Sequence, residues 1–98
     1  MIDVVFSNRA RKALGDIVVY TRKKWGVKQS NSYVSALKKQ TEILAHMPNM
    51  GKIYHQYKYQ EIRVFPFKQH LIYYFTTSTG ITVFHVTHKS MEQSEQVN

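Results

Sequence analysis

Apolar positions along the chain keep two different rhythms. Ala10, Ala13, Leu14, Ile17, Val18, Thr21 and Trp25 recur every three or four residues, the spacing of one face of an α-helix. Ser7 stands where a side-chain oxygen caps the first turn, and Gly26 where a residue tolerant of positive φ ends the last. A second helix is expected from about Lys28 to Met47, with Tyr33, Ala36, Leu37, Thr41, Leu44 and Met47 as its buried stripe. Pro48 and Gly51 in "MPNMGK" stop it. Two helices joined by so few residues predict an antiparallel hairpin.

Elsewhere the period is two. Ile2 to Phe6 reads as a short strand, and "EIRVF", "QHLIYYF" and "ITVFHVTH" as three more, rich in Ile, Val, Tyr and Phe. Pro66 and Lys68 mark one turn and "TSTG" the next, while "KIYHQYKYQE" reads as the turn region before the second strand. The order β-α-α-β-β-β predicts an α+β fold: a small antiparallel sheet packed against an N-terminal helical hairpin. Strict alternation puts Arg63 and Phe65 opposite Ile62 and Val64, and Phe84, Val86 and His88 opposite Val83 and His85. Both faces are apolar, so pattern alone leaves open which one the helices cover. No linker or repeat interrupts residues 1–98, which predicts a single domain with a polar tail after about residue 92.

Composition narrows the function classes. Fourteen Lys and Arg against six Asp and Glu leave a net charge of +8, which calls for an acidic partner. Arg9, Arg11, Lys12, Arg22, Lys23 and Lys24 put much of that charge on the outer face of the first helix. The absence of cysteine removes disulfides and thiolate metal sites. The N-terminal apolar run is too short for a signal peptide, and no stretch is long enough to span a bilayer. A cytoplasmic protein is therefore expected. The five histidines show no metal-ligand spacing, and no phosphate loop, nucleophile elbow or carboxylate pair is present, so neither metal nor cofactor is expected. Tyr54, Tyr57, Tyr59, Tyr73 and Tyr74 are a candidate base-stacking set, although tyrosines in strands are more often packed at the edge of a core.

The chain resembles the ParE branch of the RelE/ParE toxins of type II toxin–antitoxin systems. Ala13 with Ile17 and Tyr20, Trp25-Gly26, Tyr33, Leu37, "LAHMPNMG", Arg63, "HLIYY" and "HVTHKSM" carry the resemblance over nearly the whole chain. It implies either of two activities. RelE-type relatives cut messenger RNA on the ribosome. ParE-type relatives poison DNA gyrase by stabilising its cleaved-DNA complex. Metal-free RNA cleavage needs a base, a cation at the phosphorane and an acid. By the resemblance, His88 and Arg63 fall where RNase branches place such groups. Against that, the last two strands hold no arginine, and "His-x-x-Met" at His88 to Met91 is what the gyrase-directed branch shows. The expectation is thus a non-catalytic gyrase inhibitor, with ribosome-dependent cleavage by Arg63 and His88 as the alternative. Arg63, His88, Lys89 and Met91 are the candidate target contacts. A cognate antitoxin is the implied partner, with Arg9, Arg11, Lys12, Trp25 and Tyr33 as its candidate contacts. Sequence-specific DNA binding is not expected.

Overall fold

Ser7 starts the first helix as its sequence predicts. Its Oγ accepts the Ala10 N–H at 3.0 Å and donates to the Phe84 carbonyl at 2.8 Å. One side chain therefore both caps the helix and ties it to the last strand. The computed structural model describes residues 2–90. In chain order these form β1 (Asp3–Phe6), α1 (Asn8–Trp25), α2 (Val27–His46), a short 3-10 turn (Pro48–Met50), β2 (Lys52–Tyr57), β3 (Gln60–Phe67), β4 (His70–Thr76) and β5 (Gly80–His88).

The hairpin forms as expected. Gly26, with φ of 91°, joins α1 to α2 in a conformation that side chains resist. Inside the hairpin Thr21 and Ser30 are fully buried, their hydroxyls 2.6 Å apart. Thr21 also donates to the Ile17 carbonyl at 2.7 Å, so this polar contact leaves no orphaned hydroxyl. Leu14 and Ile17 of α1 and Tyr33, Leu37 and Leu44 of α2 pack on Ile72, Tyr74, Ile81, Val83 and Val86 of the sheet. Burying each such aliphatic side chain contributes about 1.5–3 kcal/mol. Trp25 and Met47, expected on buried stripes, are instead exposed at the helix ends.

The sheet departs from expectation in three ways. It has five strands in the order β1-β5-β4-β3-β2. The added one is β2, which covers most of the segment read as a turn; all six of its residues are exposed. β1 pairs with β5 in parallel, so the sheet is mixed, although every other pairing is antiparallel. Finally, the β4–β5 register slips between Tyr73 and Tyr74. Tyr73 pairs with His85 and Tyr74 with Val83, so Phe84 is the extra residue of a bulge. The slip places Val83, Val86 and His88 together on the helix-covered face and leaves Phe84 and His85 on the other. The alternation read from sequence had joined Phe84 to Val86 and His88. Arg63 and Phe65 do share a face, the covered one, through their partners Tyr74 and Ile72.

Candidate functional site

β1 stops at Phe6, where the chain turns into α1. From His85 to His88, β5 therefore has no strand beside it on that edge among the described residues. A groove of about 520 Å³ opens there between this edge and α1. Ala13, Ile17 and Tyr20 form one wall, and Val86, Thr87 and His88 the other. Arg9 and Lys12 stand at its margin. Asp16 lines the same margin and meets Lys12 at 3.9 Å with both side chains largely in water, so the ion pair is weak and the two cations outweigh the one carboxylate. An apolar trough with an open strand edge and a basic lip has the shape and charge to accept an extended or helical acidic peptide.

At one end of the groove lies a group of rings whose association no sequence motif marked. His70 is buried, and its Nδ1 lies 2.7 Å from the Tyr33 hydroxyl. The His88 ring stands edge-on to it, 5.2 Å away. Burial, and then the neighbouring His88, hold the His70 imidazole down to about 4. Burial likewise raises the Tyr33 phenol, so the bond joins a protonated phenol to a neutral imidazole. His88 Nδ1 accepts from the Ser90 N–H at 3.1 Å, which directs its Nε2 away from this bond. The resemblance had named Tyr33 and His88 separately, as partner and target contacts, and had quoted His70 only within "HLIYY", without a role.

The unfolded chain takes up a proton at His70 near its ordinary value of 6.5, the folded chain only near 4. Stability from neutral His70 is therefore full above about pH 6.5 and is lost as the pH falls towards 4. About 3 kcal/mol rides on this window. Thermal melts of the parent between these pH values are expected to fall more steeply than those of His70→Gln. Parallel curves would remove His70 as the cause.

Arg63 sits elsewhere. Its Nη1 donates to the Gly51 carbonyl at 2.6 Å and, more loosely, to Asn49 at 3.4 Å. Its Nη2 meets Glu61 Oε1 at 3.2 Å, and only 16% of the side chain is exposed. The guanidinium thus clasps the turn before β2. Strand pairing fixes its distance from His88: Arg63 opposes Tyr74, while Phe67 opposes His70, which opposes His88. The two are four residues apart along the strands and two strands apart across them, about 13 Å by about 10 Å. Phe65, Ile72 and Val86 fill the face between them.

The remaining predicted residues scatter. Arg9 and Lys12 line the groove. Arg11 instead donates to the Phe6 carbonyl at 3.1 Å, tying α1 to β1. Trp25 is exposed, its ring 6.0 Å from that of Tyr33. Tyr33 itself is buried against Phe67 and His70, so it supports the groove end from within and offers little surface to a partner. The Lys89 N–H donates to the Gln69 carbonyl at 2.9 Å, fixing the chain just past β5. Met91 lies outside the described residues. Among those residues no group of three potential ligands is placed to hold a metal ion, and no helix is long and apolar enough to cross a membrane.

Comparison with known proteins agrees with this architecture. Toxin ParE1 of Caulobacter vibrioides is 39% identical over 46 residues, 47% of this chain and 48% of that protein. The matched region thus spans about half the length of that curated relative. The solved structure described as "Chromosomal ParDE TA system from P. aeruginosa" superposes with a TM-score of 0.74 at 13% identity, covering 90% of this chain and 96% of that one. At that identity the likeness speaks for the fold alone. The profile of the family "ParE toxin of type II toxin–antitoxin system, parDE" matches residues 4–93, nearly the full length, and the chain belongs to that family.

Proposed function

We propose that this ParE-type toxin arrests growth in the cytoplasm by binding DNA gyrase and stabilising its cleaved-DNA complex, and that a cognate antitoxin silences it by laying an acidic tail into the groove between α1 and β5. The observation that carries the non-catalytic part is the separation of Arg63 from His88. A phosphodiester needs a cation and an acid or base within hydrogen-bond reach of one phosphate. Here the guanidinium is held by two carbonyls and a carboxylate at one end of the sheet, and the imidazole lies beyond packed core at the other. In this reading His88, at the end of β5, and Lys89 just past it make the target contact, while Arg63 holds the turn before β2.

The test is negative supercoiling by purified gyrase. The toxin in modest excess is expected to inhibit it and to leave linear DNA after denaturation of the enzyme. His88→Gln keeps a hydrogen-bonding side chain of similar size but has no titratable proton. It is expected to retain inhibition within about tenfold, whereas a nuclease deprived of its acid–base residue loses on the order of 10²-fold or more. Codon-linked cuts on translated message, abolished in His88→Gln, would transfer the assignment to the ribosome. No gyrase inhibition at large excess would end the present one.

A further inference from the structure

The sheet face turned away from the hairpin carries a strip of aromatic rings that neither the groove nor the His70 cluster uses. A register slip between Ile53 and His55 bulges β2. As a result Tyr54 packs at 5.0 Å on Tyr73, while His55 and Tyr57 follow on the same face with their rings 4.4 Å apart. Tyr73 continues the strip to Phe84 at 5.9 Å. Tyr73 is buried, but Tyr54 and Tyr57 are 53% and 58% exposed, and Tyr59 in the following turn is 91% exposed. Tyrosines placed in strands to fill a core do not remain half in water. Three of the five in the sequence set do.

Charge says what would cover them. Lys52 opens β2, and Lys58 holds its ammonium 5.9 Å from the Tyr59 ring centre. The one carboxylate on β2 to β5 is Glu61, which is turned to Arg63 on the opposite face. Among the described residues the strip is thus aromatic and cationic with no carboxylate on its face, on a chain of net charge +8. We infer that it binds single-stranded nucleic acid, with bases stacked on Tyr54, Tyr57 and Tyr59 and phosphates held by Lys52 and Lys58. Aromatic platforms beside lysines are the general recipe for sequence-tolerant single-strand binding. A duplex hides its base faces and gains only the charge component. A second copy of the chain would bring another +8 onto the same surface, which disfavours it as the occupant. The inference does not depend on the target assigned above, because α1, the open edge of β5 and His88 play no part in it.

Fluorescence anisotropy with the full chain and a labelled oligothymidylate of about twelve residues tests it. An abasic strand of the same length serves as the comparison, since it keeps the phosphates and removes every base. Binding at moderate salt is expected, weaker by on the order of 10²-fold for the abasic strand and for Tyr54→Ala/Tyr57→Ala. Tyr59→Ala, which touches no core, is expected to lose several-fold and guards against a double variant that fails to fold. Lys23→Ala/Lys24→Ala, on the helical side, is expected to bind as the parent does. Equal affinity for the abasic strand, or unchanged binding by Tyr59→Ala together with a folded double variant, would overturn the inference. So would a concentration-dependent dimer that the tyrosine variants dissolve, because the face would then belong to a second copy.

Discussion

Tyr74→Ala is expected to leave the chain largely unfolded at growth temperature. Tyr74 is fully buried in the middle of the sheet. Its hydroxyl donates to the Pro48 carbonyl at 2.7 Å and accepts the Gly51 N–H at 2.9 Å. Burial raises the phenol above its ordinary value, while Gly51 and Arg63 pull the other way; the group stays protonated and able to donate. One side chain thereby fastens the turn that leads from α2 into the sheet. The fit is close enough that a Cβ at Gly51 would stand 2.9 Å from a ring carbon of Tyr74. Removing the ring costs about 3–5 kcal/mol in packing and cavity. Each backbone group left unsatisfied adds about 1–3 kcal/mol. Set against about 5–15 kcal/mol for a whole domain, that is enough to unfold it. Tyr74→Phe separates the two contributions: it keeps the ring and is expected to lose about 2–4 kcal/mol in denaturant titration. A loss under about half a kcal/mol in Tyr74→Phe would show that the hydroxyl clasp contributes little.

The parts of the fold that were legible in the sequence are those where burial writes a period. The hairpin is spelled out by Leu14, Ile17, Thr21, Tyr33, Leu37 and Leu44, all buried, and punctuated by Ser7, Gly26 and Pro48. β2 was not legible because an edge strand exposed along its whole length has no reason to alternate. "KIYHQY" mixes lysine, histidine and glutamine with tyrosine, and its pairing with β3 is backbone work. The parallel β1–β5 pair joins residues 3–6 to residues 80–83, a separation no local signal encodes. The bulge at Phe84 was invisible for a related reason: one extra residue reverses the face of every side chain on one side of it.

The site was legible only in pieces. Arg9 and Lys12 were read as basic surface and do line the groove, because charge on a helix face is written directly in sequence. Arg63 and His88 were paired by resemblance to nucleases, and only strand register shows how far apart they stand. His70 was passed over because a buried histidine in "QHLIYYF" looks like any strand residue; its partner Tyr33 is 37 positions away. Trp25 and Tyr33 were chosen together as partner contacts, yet one is at the surface and the other in the core. For the tyrosines the error ran the other way, since Tyr54, Tyr57 and Tyr59 are exposed where packing had been expected.

Ala13→Trp is expected to produce a toxin that its antitoxin no longer silences. Ala13 lies halfway along the α1 wall of the groove, between Arg9 and Ile17 on the same helix face. An indole there occupies a large part of the roughly 520 Å³ that a bound tail would fill. Residues at the centre of an apolar seat carry most of an interface's energy, commonly about 2–4 kcal/mol each. Blocking the seat is therefore expected to weaken antitoxin binding by on the order of 10²-fold or more. Arg9→Glu/Lys12→Glu, at the lip, is expected to slow association chiefly at low salt and to change the dissociation rate little, since rim charges steer encounter more than they hold the complex. Two measurements decide the matter: growth on co-induction of toxin and antitoxin, and binding kinetics of the purified pair. If Ala13→Trp is folded, toxic alone and still fully neutralised, the antitoxin sits elsewhere. If it is folded but harmless without antitoxin, the open edge of β5 belongs to the target, and inhibitor and target compete for one surface.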